Sequence, residues 1–507
     1  MRILATPMAA PSRWPEPAPG GFDASLGPAL LAGPGQEALR ARLAEPDVLV
    51  VTTGQQPALF TGPLYAVHKA LSAAALARVL ASRWGRPVVP LFWVAGDDHD
   101  YAEANHAAWL RPDGSLHVES LPDRPAGAAL RPMSREPLGA AVAGALAALA
   151  SDLAAMEGHQ PVLQWLGAHF RPEATIAGAS GAALAELLAP LGVLCIDGAH
   201  PALKSRAAPV IQRALEDAAG LESALLHRAR ELRDAGHDPG VSVGDGATLV
   251  MLETEQGRDR LVIRNGGFAT RHGGQRHSRA ELIRLLADHP ERFSGNVLLR
   301  PVLERAILPT VAYVAGPGEL RYLALAETAY LRLGLTPQLP VPRWSGLLIE
   351  PRVDRVLGKF GASLEELLAP GARLEARVAR AHLPSEALEA LAALRAGTEK
   401  EFGVLEAVAA TVDPTLTRPF QGLKGRALRS ADQAELKLVQ HLKRRFDTEI
   451  TQIQRARTAL QPGGRAQERV LTVAPFLARY GHGILPALLD EMVGWYSSAL
   501  EGGARPS

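Results

Sequence analysis

The chain of 507 residues holds a single cysteine, Cys195. That scarcity excludes an internal disulfide framework, a CxxC redox pair and a multi-cysteine zinc site. Cys195 closes an apolar run and has no cationic neighbour in sequence, so a buried, inert thiol is expected. Net charge is also scarce: 54 Lys+Arg against 53 Asp+Glu leave +1 at pH 7. Near-neutrality argues against a dedicated nucleic-acid or polyanion binder. The longest apolar run, Gly139 to Ala150, is closed by Ser151 and Asp152, whereas a membrane span needs about 20 such residues. One early basic residue, Arg2, followed by prolines makes a poor signal peptide. With 47% hydrophobic and 21% charged residues, the expectation is a soluble cytoplasmic enzyme of roughly two to four domains, with neither a nucleic acid nor a membrane as partner.

What is present is strand–helix alternation. Residues 1–46 are rich in Pro, Gly and Ala, with one short helical stretch at Gln36 to Ala44. Asp47 to Thr53 and Pro87 to Ala95 are continuous apolar runs, the signature of strands buried on both faces of a parallel sheet. Between them a helix runs from Pro63 to about Trp84, completing a βαβ unit. An alanine-rich helical region (138–190), a strand at Leu191 to Asp197 and a helix through Leu203 to Ala218 continue the pattern. A hairpin at 248–254 and 260–265 reads as an insertion. Further strands are expected at Val297 to Arg300, Thr310 to Ala315 and Leu339 to Arg343, with a helix over 319–333. Beyond 355 strands vanish. Leu388, Leu391, Arg395, Thr398, Phe402, Leu405, Ala409 and Val412 alternate spacings of three and four, as do Val439, Leu442, Phe446, Glu449, Ile453, Ala456 and Leu460. These seams predict an antiparallel coiled-coil hairpin over about 385–460, with a second copy of the chain covering its apolar face. The domain bounds so read are 1–355 and 356–507.

Ligands of an open parallel sheet bind beyond the carboxyl ends of its strands. Three polar groups fall there. The loop Gly54-Gln-Gln-Pro-Ala-Leu-Phe-Thr-Gly62 permits close backbone approach and precedes a helix N-terminus that offers N–H groups to an anion. Tyr65 and Lys69 follow on that helix. The second group is Asp97, Asp98, His99 and Asp100, where a histidine among carboxylates is expected to have a raised pKa and to exchange protons near neutrality. The third is Arg300, Tyr313, Gly316, Gly318, Glu319 and Arg343 at strand ends or turns. No metal site is expected. Arg418 to Arg457 is mildly basic and reads as a solvated coiled-coil face, and His482 in Tyr-Gly-His-Gly is discounted as a synthetase signature because of its position.

These residues also carry a resemblance. Thr53 to Tyr65, Pro90 to Asp100, Leu299-Arg-Pro-Val302, Leu308 to Glu319, Val341-Pro-Arg343 and Gln467-Glu-Arg-Val470 resemble, in order along nearly the whole chain, the BshC family, the cysteine-adding ligase of bacillithiol biosynthesis. His68 stands where that family usually has tyrosine, and Asp97 where it often has glutamate. The resemblance implies an α/β fold: a Rossmann-like core with insertions, similar to class I aminoacyl-tRNA synthetases, and a C-terminal coiled coil that forms a homodimer. It also implies the last pathway step, in which the carboxyl of L-cysteine becomes an amide with the amine of glucosaminyl malate. Read against that reaction, His99, oriented by Asp98 or Asp100, is the expected base for the sugar ammonium. Gln55, Gln56 and the amides of loop 54–62 are expected at substrate oxygens, and Lys69, Arg300 and Arg343 at the malate carboxylates. No tightly bound cofactor is expected. ATP or ADP is the expected cosubstrate or ligand, but no motif assigns its site: no Walker A lysine follows Gly62, and Gly358 to Ser363 only faintly resembles the synthetase lysine loop. The alternatives are a synthetase-like enzyme that activates an amino acid for another acceptor, and a non-catalytic coiled-coil scaffold.

Overall fold

The computed structural model describes residues 1–6 and 13–502, so 7–12 of the irregular N-terminal stretch and 503–507 lie outside the description. The chain divides into two compact units, one of Ile3–Leu347 with Gln467–Ser507, the other of Met1–Arg2 with Leu348–Ala466.

The first unit begins its sheet with β1 (Leu49–Gln55), whose apolar residues are buried on both faces. Helix α1 (Leu64–Trp84) follows and ends at Gly85, which takes the left-handed conformation that terminates helices and donates its N–H to Ala81. By length and composition α1 could cross a membrane, although the sequence shows no unbroken apolar run there; 83% of the stretch is buried inside the fold. It packs on β1 and on β2 (Val88–Val94). The alanine-rich region forms α2 (Ala141–Leu153), α3 (His159–His169) and α4 (Ile176–Leu188), and then come β3 (Leu194–Asp197) and α5 (Pro201–Glu216). Cys195 is fully buried in β3, and burial pushes its thiol pKa up.

The expected hairpin is β4 (Ala247–Thr254) and β5 (Gly257–Arg264), but it belongs to a larger antiparallel sheet. β6 (Gly267–Thr270) pairs with β5, the short strand Arg276–His277 with β6, and β7 (Phe293–Gly295) with β4. The strand expected at 297–300 is absent. Asn296 Oδ1 accepts the N–H groups of Leu298 and Leu299 at 3.1 and 3.0 Å, turning the chain directly into α6 (Arg300–Ile307) with Pro301 in its first turn. The parallel sheet then closes with β8 (Thr310–Ala315), α7 (Pro317–Arg332) and β9 (Leu339–Pro342). Its order is β9-β8-β1-β2-β3, all parallel, and the chain leaves β1 toward both edges.

In the second unit, α8 (Pro351–Lys359), α9 (Leu364–Leu368) and α10 (Arg373–Ala381) precede the long pair α11 (Ser385–Val412) and α12 (Thr417–Arg445). The pair is the antiparallel hairpin read from the heptads, about 42 Å long. Arg395 crosses it to Asp432 at 2.9 Å and Glu435 at 2.5 Å. The second seam does not continue along the hairpin. At Phe446 the backbone breaks from helical geometry, and α13 (Asp447–Leu460) turns Ile453, Ala456 and Leu460 inward while packing on α8, α9 and α10.

After 466 the chain returns to the first unit, where α14 (Ala474–Tyr480) packs on α3 and α15 (Ile484–Gly502) along α1. The sequence places this stretch with the coiled coil, but its packing partners lie in the core. Leu64, the first residue of α1, donates its N–H to Leu471 at 2.8 Å, so this helix end is covered by chain rather than open to an anion. Glu468 anchors the crossing. Its carboxylate accepts from both terminal nitrogens of Arg343, from His68 Nδ1 at 2.9 Å and from Ser345 Oγ at 2.6 Å. Burial acts against the charge of Glu468, but His68 and Arg343 outweigh it and hold the carboxyl well below the ordinary glutamate range.

Removing one partner of a buried ion pair strands the other charge. Glu468→Gln should therefore lower stability by about 3 kcal/mol or more in denaturant titration. The sign with pH is fixed: the folded carboxyl stays charged where the unfolded one protonates, so the contribution is full above the ordinary value of 4.5 and declines as pH falls below it. In Glu468→Gln that part of the acid sensitivity should disappear.

Candidate functional site

The carboxyl ends of β1, β2 and β8 open into a cavity of about 670 Å³, at the position where the sheet's chain order reverses. Gly54 ends β1 against β2; an added Cβ there would lie 2.8 Å from the Trp93 carbonyl oxygen and 2.9 Å from Trp93 Cβ, so only glycine lets the two strands approach. Gln55, Gln56, Tyr65, Lys69, Asp98, His99, Arg300, Tyr313, Gly316, Gly318, Glu319 and Arg343 all line this cavity with Gly54. Two expected residues do not. Gly62 follows Phe60 and Thr61 in a run of three positive φ angles (50°, 68°, 74°) and serves the turn into α1. Asp100 caps a short helix at Tyr101–Ala104 through the Glu103 N–H.

A continuous polar chain runs along one wall. Lys69 Nζ, its side chain 1% exposed, donates to the Gly54 carbonyl, to Gln55 Oε1 at 3.3 Å and to Glu319 Oε2 at 2.7 Å. Glu319 also accepts from the Gly316 N–H at 2.8 Å and from the Tyr313 hydroxyl at 2.7 Å. Tyr313 in turn accepts from Arg300 at 2.9 Å, and Arg300 pairs with the buried Glu304 at 2.9 Å. Burial pushes Lys69 down and Glu319 resists it; burial would raise Glu319, but Lys69, Gly316 and Tyr313 hold it below its ordinary value. Three acceptors on one nitrogen require an ammonium. Lys69, Arg300 and Arg343, expected at substrate carboxylates, each pair with a protein carboxylate at the cavity wall. The amide of Gln55 donates to Tyr65 at 2.9 Å, and that of Gln56 to the Asp100 carbonyl at 2.6 Å, locking the two loops together.

The opposite wall is built by residues the sequence did not single out. Lys204 of α5 pairs with Asp97 at 2.5 Å and donates to the Phe293 carbonyl at 3.0 Å. Arg258 of β5 donates to Ser294 Oγ at 2.9 Å, to the Gly295 carbonyl at 2.8 Å and to His99 Nδ1 at 3.2 Å. The carboxylates expected to orient His99 do not touch its ring: Asp98 accepts the backbone N–H groups of residues 99 and 100 at 2.7 and 3.1 Å. The pKa of His99 is lowered, not raised, because burial and the Arg258 guanidinium outweigh Asp98 and Asp100. Arg260, Arg321 and Arg469 also face the cavity and, like Arg258, form no ion pair among the described residues. Lys204 and Arg258 had no local signal, since one lies in an ordinary amphipathic helix and the other in a hairpin strand.

The chain matches two family models. Residues 36–344 match the bacillithiol biosynthesis BshC N-terminal Rossmann-like domain, and residues 346–494 the BshC C-terminal coiled-coil domain. Among curated proteins it is 32% identical over 454 residues to the "Putative cysteine ligase BshC" of Solibacter usitatus (89% of this chain, 84% of the relative). It is 33% identical over 450 residues to the protein of the same name from Koribacter versatilis (87% and 81%).

The Lys69–Glu319 contact should behave as a coupled pair. A double-mutant cycle of Lys69→Met and Glu319→Gln, followed by denaturant unfolding, should give a coupling of about 0.5–3 kcal/mol, with the double variant losing less stability than the sum of the two single variants.

Proposed function

The chain belongs to the BshC family, and from that premise we propose that it is the cysteine ligase of bacillithiol biosynthesis, forming the amide between the carboxyl of L-cysteine and the glucosamine amine of glucosaminyl malate. The observation that supports this reading best is the cavity itself. It draws at least one residue from each of the six family-like motifs, and four arginines in its lining (258, 260, 321 and 469) form no ion pair with a carboxylate among the described residues. A malyl group brings two carboxylates that need such partners. The committed cations Lys69, Arg300 and Arg343 then shape the wall instead of binding substrate, and the loop Gly54–Gln56 presents backbone and amide groups beside it. Amide formation from a free carboxylate expels an oxygen, and ATP as cosubstrate would supply the leaving group. The reading places the protein in the cytoplasm with its small-molecule substrates.

Purified protein incubated with L-cysteine, glucosaminyl malate and ATP should yield bacillithiol, detected by mass spectrometry after thiol labelling. Arg260→Ala should raise the KM for glucosaminyl malate about tenfold or more, the loss of a charge-assisted hydrogen bond, and leave the KM for cysteine within about twofold. Cells lacking the gene should lose bacillithiol and accumulate glucosaminyl malate; an unchanged thiol profile would refute the proposal.

We also propose that the α11–α12 hairpin forms a homodimer. Val404, Leu405, Val408 and Val412 lie exposed on α11, Val412 at 74%, and a second copy would remove this strip from water. Val408→Asp should shift the sedimentation coefficient from dimer to monomer. A wild-type monomer at micromolar concentration would contradict it.

A further inference from the structure

We propose that Arg258 is a positioning residue: by donating to His99 Nδ1 it fixes the imidazole as the Nε2–H tautomer, so that His99 acts in the cavity as a hydrogen-bond donor to a substrate oxygen and not as the base. The argument is donor arithmetic. A guanidinium carries only donors, so a contact of 3.2 Å between Arg258 Nη1 and His99 Nδ1 requires a lone pair on Nδ1. In a neutral ring the one N–H then sits on Nε2. That nitrogen has no partner among the described residues, and His99 lines the cavity. Burial and the adjacent positive charge both favour the neutral ring.

Arg258 itself has no freedom to turn away. Ser294 Oγ and the Gly295 carbonyl, both on β7, fix Nε and the second terminal nitrogen, so the antiparallel sheet aims the guanidinium at the ring. The loop is clamped from its other side by Arg124, which donates to the His99 carbonyl at 3.1 Å. Asp98 and Asp100 lie near the ring without bonding to it. An Nε2–H donor on a ring held by the Arg258 guanidinium suits an oxygen acceptor in the cavity. For the identity of that oxygen, a carboxylate of the malyl or cysteinyl substrate, the inference rests on the ligase reading above.

The test uses the whole protein labelled with [15N]histidine, with the His99 resonances assigned by their loss in His99→Gln. Wild type at neutral pH should show a pyridine-type Nδ1 and a pyrrole-type Nε2, and Arg258→Ala should convert this to a tautomer mixture. An Nδ1–H or doubly protonated ring in wild type, or a ring unmoved in Arg258→Ala, overturns the tautomer assignment. Kinetics then separates donor from base. A glutamine side chain can place an N–H near the Nε2 position but takes up no proton, so His99→Gln should stay within about tenfold of wild type while His99→Ala falls about a hundredfold. Equal loss in both overturns the donor role. Arg258→Lys, which still donates to Nδ1, should recover a large part of the activity lost in Arg258→Ala. If no variant and no wild type ligates cysteine, the ligase reading fails, and the NMR result alone decides the tautomer.

Discussion

A lysine ammonium buried at the carboxyl ends of β1 and β8 sets the geometry around it. Lys69 is almost wholly removed from water, and its charge persists because Gly54, Gln55 and Glu319 accept hydrogen bonds from its ammonium. Glu319 passes the constraint to Tyr313, Tyr313 to Arg300 and Arg300 to Glu304, which ties α1, α7, β8 and α6 into one polar chain. Displacing any member leaves a buried charge unmatched. The wall of the cavity is therefore stiff, and its cations neutralise protein carboxylates.

The opposite wall follows the reverse logic. Arg258 is bound by a hydroxyl, a carbonyl and an imidazole nitrogen, and Asp97, Asp98 and Glu253 act on its charge without forming an ion pair with it. Of the other lining arginines without an ion pair among the described residues, Arg260 lies on the same strand, Arg321 on α7 and Arg469 after Glu468. The antiparallel sheet thereby holds Arg258 rigidly against the loop that follows β2.

The hairpin shows how far a periodic pattern reaches. Both heptad seams are real, yet only the stretch through Arg445 pairs with α11. The residues after Phe446 have a competing partner, the surface of α8 to α10, and Arg457 fixes that choice by pairing with Glu375 and donating to the Leu367 carbonyl at 2.7 Å. A spacing of three and four identifies a helix with an apolar stripe; it does not name what covers the stripe.

The sequence alone determined the elements whose signal is local. Buried strands announced themselves as apolar runs at 47–53 and 87–95, α1 by the helical stretch that Pro63 opens, and the hairpin by its heptads. The turn residues of Gly54–Gln56 and Gly316–Glu319 placed part of the cavity lining at strand ends, where an open sheet binds ligands. Local signals misled where a side chain overrode a run, as when Asn296 turned a presumed strand into a helix start. Only the tertiary structure decided which charges are free and which are matched. Lys69 meets Glu319 across 250 residues, Arg343 meets Glu468 across 125 and Arg258 meets His99 across 159. An ion pair is a relation between positions in space, and the type of one residue carries no record of its partner, so the roles of these cations became readable only once the chain had folded.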